Sequence, residues 1–387
     1  MTTVTNETSV ETSPERLLDA NTDTAPPIVP FRSSAERFAF IDALRGLAVV
    51  LMVQQHLGIW LTPLRQVRGG ILPTLMAINA LGGAAAPLFV LLAGVGVALG
   101  AQPGLSLVRR GLALGLCGYL LNLMTPSWFS PGSFYVLHLI ACFWLLAPTL
   151  RRLQGSGLLV TFALLLLLSL AVQTWLKTPP NMGNVRLSDT TRPLGAVRLA
   201  LAEGHFPLLP WLALATLGVW VGRRVRDGRT RSLYALAAVL LGVLVLLRLP
   251  VLFLRPALLR ALPLRSLVSV SFYPASVAFM LALAGVCVLL VALGRRWDAQ
   301  ALALRNWLVP LGRTSLTLLC LHVVVFREGS LAVGAYHAVT PLAVPLVIAG
   351  VLAGWGVIAR AWSRIDYRYS LEWWLRLAGG TSSRARG

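Results

Sequence analysis

The stretch LLVTFALLLLLSLAVQTWL, residues 158–176, decides the fold. It runs for nineteen residues without a charged side chain. At about 1.5 Å per residue a helix of this length nearly spans a hydrocarbon core about 30 Å thick. Inside lipid every backbone N–H and C=O must find a partner within the segment, so such a run is helical. Comparable runs recur along the 387-residue chain, which is 57% hydrophobic and only 12% charged, against about 25% charged in ordinary soluble domains. That composition excludes a soluble globular protein. The spacing places spans at 38–61, 75–100, 106–124, 132–150, 156–176, 207–223, 232–250, 270–293, 306–326 and 339–361. The expected fold is all-α: a polytopic transmembrane bundle of about ten spans. The basic, proline-broken segment 250–270 is expected to lie on the membrane or dip into it.

The formal charge is +20, nearly all arginine, with Lys177 the only lysine. With the N-terminus inside, the inner loops collect Arg109, Arg110, Arg151, Arg152, the five arginines from Arg223 to Arg231, Arg295, Arg296 and Arg305. The outer loops are poorer but hold Arg65, Arg68, Arg186, Arg192, Arg198, Arg255, Arg260, Arg265 and Arg327. The bias orients both termini to the cytoplasm, and the expected location is the cytoplasmic (inner) membrane. The outer arginines point to an anionic or polar ligand on that side. No basic face on a soluble fold is present, so no nucleic-acid partner is expected. The sequence leaves the oligomeric state open. Residues 1–36, rich in Thr, Ser, Pro, Glu and Asp, read as a disordered cytoplasmic tail without a signal-peptide pattern. Residues 37–380 read as the membrane domain, and 381–387 as a second disordered tail. Cys117, Cys142, Cys287 and Cys320 stand far apart in apolar runs, which suits packing residues.

The first span, RFAFIDALRGLAVVLMVQQHLGIW, carries ionisable groups in an apolar run. Such groups are costly in lipid and mark function. Asp42 and Arg45 are three residues apart, share a helix face and can pair. Ten residues separate Arg45 from His56, so about 16 Å of helix axis divides them, Arg45 inward and His56 outward. The other histidines are His138, His205, His322 and His337, and in this topology all five fall in the outer half or beyond it. A neutral imidazole can take a proton from an attacking hydroxyl or amine and return it to a leaving group. A packed, hydrogen-bonded histidine is the plainer reading of any one of them. No two are spaced i, i+4 and no carboxylate joins them in a ligand motif, so no metal is expected. The outer loop 177–206, with Asp189 and Glu203 beside several arginines, is positioned to shape acceptor choice.

The segment IDALRGLAVVLMVQQH, with its Arg45 to His56 spacing, resembles the first-helix signature of the acyltransferase-3 family of membrane acyltransferases. A set of ordered pieces resembles the bacterial heparan-alpha-glucosaminide N-acetyltransferase-like proteins. These are APLFVLLAGVGVAL, RRGLALGLCGYLLNL, VLHLIACFWLLAP, FPLLPWLALATLGVWVGR, LGRTSLTLLCLHVVV and YSLEWWLRLAGG, which together cover most of 37–380. The resemblance implies a membrane-bound acyltransferase. It would move an acyl group, acetyl by family habit, from cytoplasmic acetyl-CoA to a hydroxyl or amine of an extracytoplasmic carbohydrate acceptor, with the lipid bilayer as its setting. Arg45, with Asp42 beside it, and the inner arginines would receive the coenzyme phosphates. His56, His138 and His322 would form the catalytic constellation, with His56 as general base or transient acyl carrier. One departure stands out: animal members of the N-acetyltransferase family carry an active histidine before the second span, and the stretch Arg68 to Ala80 has none. A transporter or flippase for a small polar or lipid-linked solute is the alternative function.

Overall fold

The computed structural model describes residues 1–2, 39–63, 71–179, 182–183, 187–253, 265–297 and 302–380. The expected tails, the outer-loop residues Arg65, Arg68, Arg186, Arg255 and Arg260, and most of the 250–270 segment lie outside the described residues. The chain divides into two units, Met1–Phe38 and Ala39–Gly387. The architecture below is that of the second.

Helix α1 covers Ala39–Leu61. Helix α2 (Ile71–Leu81) runs through a 3-10 turn into α3 (Ala85–Leu99), then come α4 (Gly104–Met124), α5 (Val136–Leu150) and α6 (Gly155–Trp175). A short helix α7 (Gly195–Arg198) passes through a π turn toward α8 (Leu208–Arg226), followed by α9 (Thr230–Phe253), α10 (Arg265–Val268) and α11 (Val277–Trp297). The chain ends with α12 (Leu302–Arg313), α13 (Ser315–His322), α14 (Gly329–Ala332), α15 (Val344–Trp362) and α16 (Leu371–Ala378). Among the described residues eight helices are long and apolar enough to cross a membrane, or nine if the pair bent by 44° around residues 204–207 is one span. Helix α5 is apolar but shorter, at 15 residues. The protein is a multi-pass, all-helical membrane protein.

Close helix contact needs small residues where backbones meet. On α3 and α8, Gly94 lies against the carbonyl of Ala215 and Gly218 against that of Leu91. On α1 and α12, Gly46 lies against the Leu308 carbonyl and Gly312 against that of Asp42. No Cβ fits at these four positions, so the helix pairs approach with backbone on backbone.

One expected span is drawn differently. The apolar pattern over 306–326 reads as a single helix, but the structure breaks it at Thr314, whose φ/ψ of −113°/18° is not helical. Helix α12 then runs along α1, burying Leu308 and Leu311 against Ala359 of α15. The candidate span becomes Ser315–Ala332. The break is held by side chains: the Trp355 indole N–H donates to Thr314 Oγ1 at 3.3 Å. Glu372 of α16 caps the new helix start, its Oε1 accepting from the N–H of Leu316 at 2.6 Å and of Thr317 at 3.2 Å. Its Oε2 takes the Thr317 hydroxyl at 2.6 Å. A carboxylate on the exposed N–H groups of a helix start is favourable both as a cap and against the helix dipole.

Candidate active site

Helix α1 carries two separate polar clusters. At its start Asp42 binds Arg45 at 3.0 Å and Arg313, at the end of α12, at 3.2 Å. The i, i+3 pairing expected from spacing is present. Arg313 joins it because the Gly46 and Gly312 contacts bring the end of α12 onto the first turn of α1. One carboxylate thus serves two guanidiniums, and the cluster keeps a net positive charge.

Eleven residues on, about 16 Å along the axis, His56 Nδ1 lies 2.7 Å from Nε2 of His322 on α13. His322 Nδ1 in turn lies 3.1 Å from the carbonyl oxygen of Leu318, one turn earlier on its own helix. A carbonyl only accepts, so for two neutral rings the proton positions follow. Nδ1 of His322 donates to Leu318, its Nε2 accepts, and Nδ1 of His56 donates to it. Nε2 of His56 is left with a lone pair. The rings are parallel within 1° with centroids 5.0 Å apart, which matches two rings lying edge to edge in one plane across a hydrogen bond. His322 is 1% exposed, while His56 is half-buried.

Aromatic rings wall this pair. Trp60, one turn beyond His56, stacks on it at 5.0 Å, and Trp128 meets it edge-on at 5.3 Å. Trp128 and Phe129 come from the α4–α5 loop. That loop is tied down by Asn122, whose side-chain N–H groups donate to the carbonyls of Pro131 and Ser133 at 3.2 and 2.9 Å. Arg327, in the π turn Val323–Glu328 that follows α13, closes the wall. Its guanidinium sits 5.4 Å over Trp128 and 6.0 Å over Trp60. It also donates to Ser127 Oγ and Ser127 O, both at 3.0 Å, and to the Tyr336 hydroxyl at 3.2 Å.

His138 belongs to a neighbouring cluster. It is 3% exposed, and its Nδ1 accepts from the Tyr135 N–H at 3.3 Å. The tautomer then places a proton on Nε2, which has no hydrogen-bond partner among the described residues and is pressed against Gly118. His138 reaches the pair only through successive ring contacts with Tyr135, Phe129 and Trp128. The structure therefore joins His56 to His322 and does not join either to His138 directly.

His205, outside the expected constellation, is 4% exposed, and among the described residues neither ring nitrogen has a hydrogen-bond partner. It meets Trp128 at 6.5 Å and 87°, Phe129 at 5.6 Å and Tyr273 at 5.9 Å. Trp128 thus stands edge-on between His56 and His205. The bend that places His205 is fixed two residues earlier by Glu203. This carboxylate is fully buried and holds Arg198 at 2.6 Å, Arg192 at 2.9 Å and the Thr178 hydroxyl at 3.0 Å. Glu203 is therefore committed to holding the loop. The fifth histidine, His337, donates its backbone N–H to the Trp60 carbonyl at 2.8 Å and stacks on Tyr336 at 4.1 Å. All five histidines thus belong to one connected network around Trp60 and Trp128. The signal that could have exposed its missing parts is the loop SWFSPGSFY, residues 127–135, where three aromatic types crowd a short polar connection.

The chain is a helical membrane protein whose first helix carries a histidine pair toward one end and an arginine–carboxylate cluster at the other. Within that class the assignment is specific: the family model for the heparan-alpha-glucosaminide N-acetyltransferase catalytic domain matches residues 37–247. The chain belongs to this family and is a membrane-bound acyltransferase. The family in general uses acetyl-CoA as donor. No curated protein matches the chain. The matched region contains Asp42, Arg45, His56, His138 and His205, while His322 lies beyond it.

Proposed function

We propose that this protein takes an acetyl group from acetyl-CoA on the cytoplasmic side and transfers it to an amine or hydroxyl of an extracytoplasmic sugar. The observation that carries the reading is the free lone pair on His56 Nε2, held in place by the His56–His322 hydrogen bond at the far end of α1 from Arg45. In this mechanism Nε2 of His56 removes the proton as the acceptor attacks the thioester carbonyl. The C–S bond then breaks, and the proton passes to the departing coenzyme thiolate. His322 accepts the Nδ1 proton of His56 throughout, so it stabilises the imidazolium that forms and fixes the ring's orientation. Trp60 and Trp128 exclude water from the reacting carbonyl and offer apolar surface to a sugar ring. Arg45, held by Asp42 beside Arg313, presents a positive face toward the anionic coenzyme. His138 supports the wall by packing.

The test is calorimetric binding of acetyl-CoA to the detergent-purified full chain, followed by acetyl transfer to glucosamine, for the natural protein beside His56→Ala and Arg45→Ala. Donor binding retained in His56→Ala with transfer lost is the expected result. Full transfer by His56→Ala in a folded protein would remove His56 from the mechanism. A folded natural protein that binds no acetyl-CoA would overturn the donor.

A further inference from the structure

A second polar cavity lies where α3 and α8 end and α5 turns into α6. It is an open pocket of about 450 Å³ lined by Arg151, Arg152, Arg223 and Arg226, with Gln154 beside them. Three of the four guanidiniums are anchored by backbone oxygens rather than by carboxylates. Arg151 donates to the carbonyls of Gly100 at 2.8 Å and Gln102 at 2.6 Å. Arg223 donates to those of Leu153 at 2.7 Å and Arg151 at 2.8 Å, and Arg226 to that of Ala98 at 3.3 Å. Among the described residues no carboxylate comes within ion-pair distance of Arg151, Arg152 or Arg223, and Arg226 has only Asp227, at 3.8 Å.

The plain reading is that these arginines cap the C-terminal carbonyls of helices, where cations are favoured. Capping accounts for two N–H groups on Arg151, two on Arg223 and one on Arg226, out of five on each guanidinium. It leaves Arg152 unexplained. It also leaves four like charges around one open cavity with a single distant counter-charge, a concentration of positive charge that an entering anion relieves. The guanidiniums of Arg151 and Arg223, each held by two backbone carbonyls, are fixed in orientation beside the exposed Arg152 and Arg226. Such planar groups match the oxygens of a phosphate with paired charge-assisted hydrogen bonds. The cavity sits where apolar spans end, the depth at which lipid headgroups lie.

We propose that this cavity is a phosphate-ester site, separate from the Asp42–Arg45–Arg313 cluster. Two sources share the chemistry: the headgroup of an anionic phospholipid, and the phosphates of a soluble nucleotide-bearing coenzyme. Only the second rests on the acyl-transfer reading.

The test uses the full chain in a neutral detergent, titrated separately with short-chain phosphatidylglycerol, short-chain phosphatidylcholine and coenzyme A. The variant pair is Arg152→Gln with Arg226→Gln, which leaves the doubly anchored Arg151 and Arg223 in place. The control pair, Arg229→Gln with Arg231→Gln, removes the same charge from the neighbouring α8–α9 connection and the first turn of α9. Saturable binding of phosphatidylglycerol or of coenzyme A is expected, weakened on the order of tenfold or more in the cavity pair and unchanged in the control. Loss for phosphatidylglycerol alone makes it a lipid site; loss for coenzyme A alone makes it a donor site. If neither anion binds, if phosphatidylcholine binds equally well, or if both pairs weaken binding equally, the proposal is overturned. That outcome alongside undiminished acetyl transfer would leave the enzymatic reading standing.

Discussion

His56 and His322 lie 266 residues apart in the chain, yet their ring nitrogens meet at 2.7 Å in a common plane. Because the Leu318 carbonyl can only accept from His322 Nδ1, the contact between two neutral rings has a direction: His56 donates from Nδ1 and keeps a lone pair on Nε2, the atom proposed as the base. Replacing His56 with Ala should lower acetyl transfer by about 10²- to 10⁴-fold, the usual worth of a general base. His322→Phe leaves the base present but its Nδ1 proton without a partner. The expected cost is about 10- to 100-fold in kcat with little change in donor KM, read from initial rates at saturating acceptor. Equal losses in kcat and donor affinity would mean that His322 acts through the fold.

Glu372 should matter at a distance. Its carboxylate caps the start of α13, and that helix ends on His322. Glu372→Ala should destabilise the protein by about 1–2 kcal/mol, as cap losses do, and lower transfer through misplacement of His322. Glu372→Gln keeps a carbonyl acceptor and should recover part of both. Thermal unfolding in detergent beside rate measurements decides it; an unchanged midpoint in Glu372→Ala would refute the cap.

His205→Phe makes an opposite pair of effects. A buried imidazole with no hydrogen-bond partner carries a desolvation cost of about 1–3 kcal/mol, and an aromatic ring fits among Trp128, Phe129 and Tyr273. Stability should hold or rise while transfer falls, the pattern of a residue kept for function. A lower melting temperature with normal transfer would assign His205 to packing.

Gly46→Ala should be among the most damaging small changes in the first helix. The added Cβ would collide with the Leu308 carbonyl of α12, and backbone yields poorly. Overpacking of this kind costs about 1–3 kcal/mol. Since α12 also carries Arg313 to Asp42, the variant should lose the coupling between these residues, measurable as a double-mutant cycle of Asp42→Asn and Arg313→Gln in each background. An undiminished coupling energy would show that α12 tolerates the shift.

The apolar runs alone determined the helical membrane architecture, because a bilayer accepts few solutions and a run without charge announces each one. Local spacing likewise determined the Asp42–Arg45 pair and the distance along α1 to His56, since both are properties of one helix. The sequence could not divide the 306–326 run at Thr314: that break depends on Trp355 and Glu372, far along the chain, and an apolar pattern carries no trace of a distant cap. The sequence and its family resemblance put forward His56, His138 and His322 together, but could not say which of them meet. His56 and His322 became a pair, His138 a packed ring and His205 a buried neighbour of Trp128 only when α1, α13 and the α4–α5 loop came together. Tertiary structure decided the site because hydrogen bonds and ring contacts act over a few ångströms, and only folding brings residues hundreds of positions apart within that range.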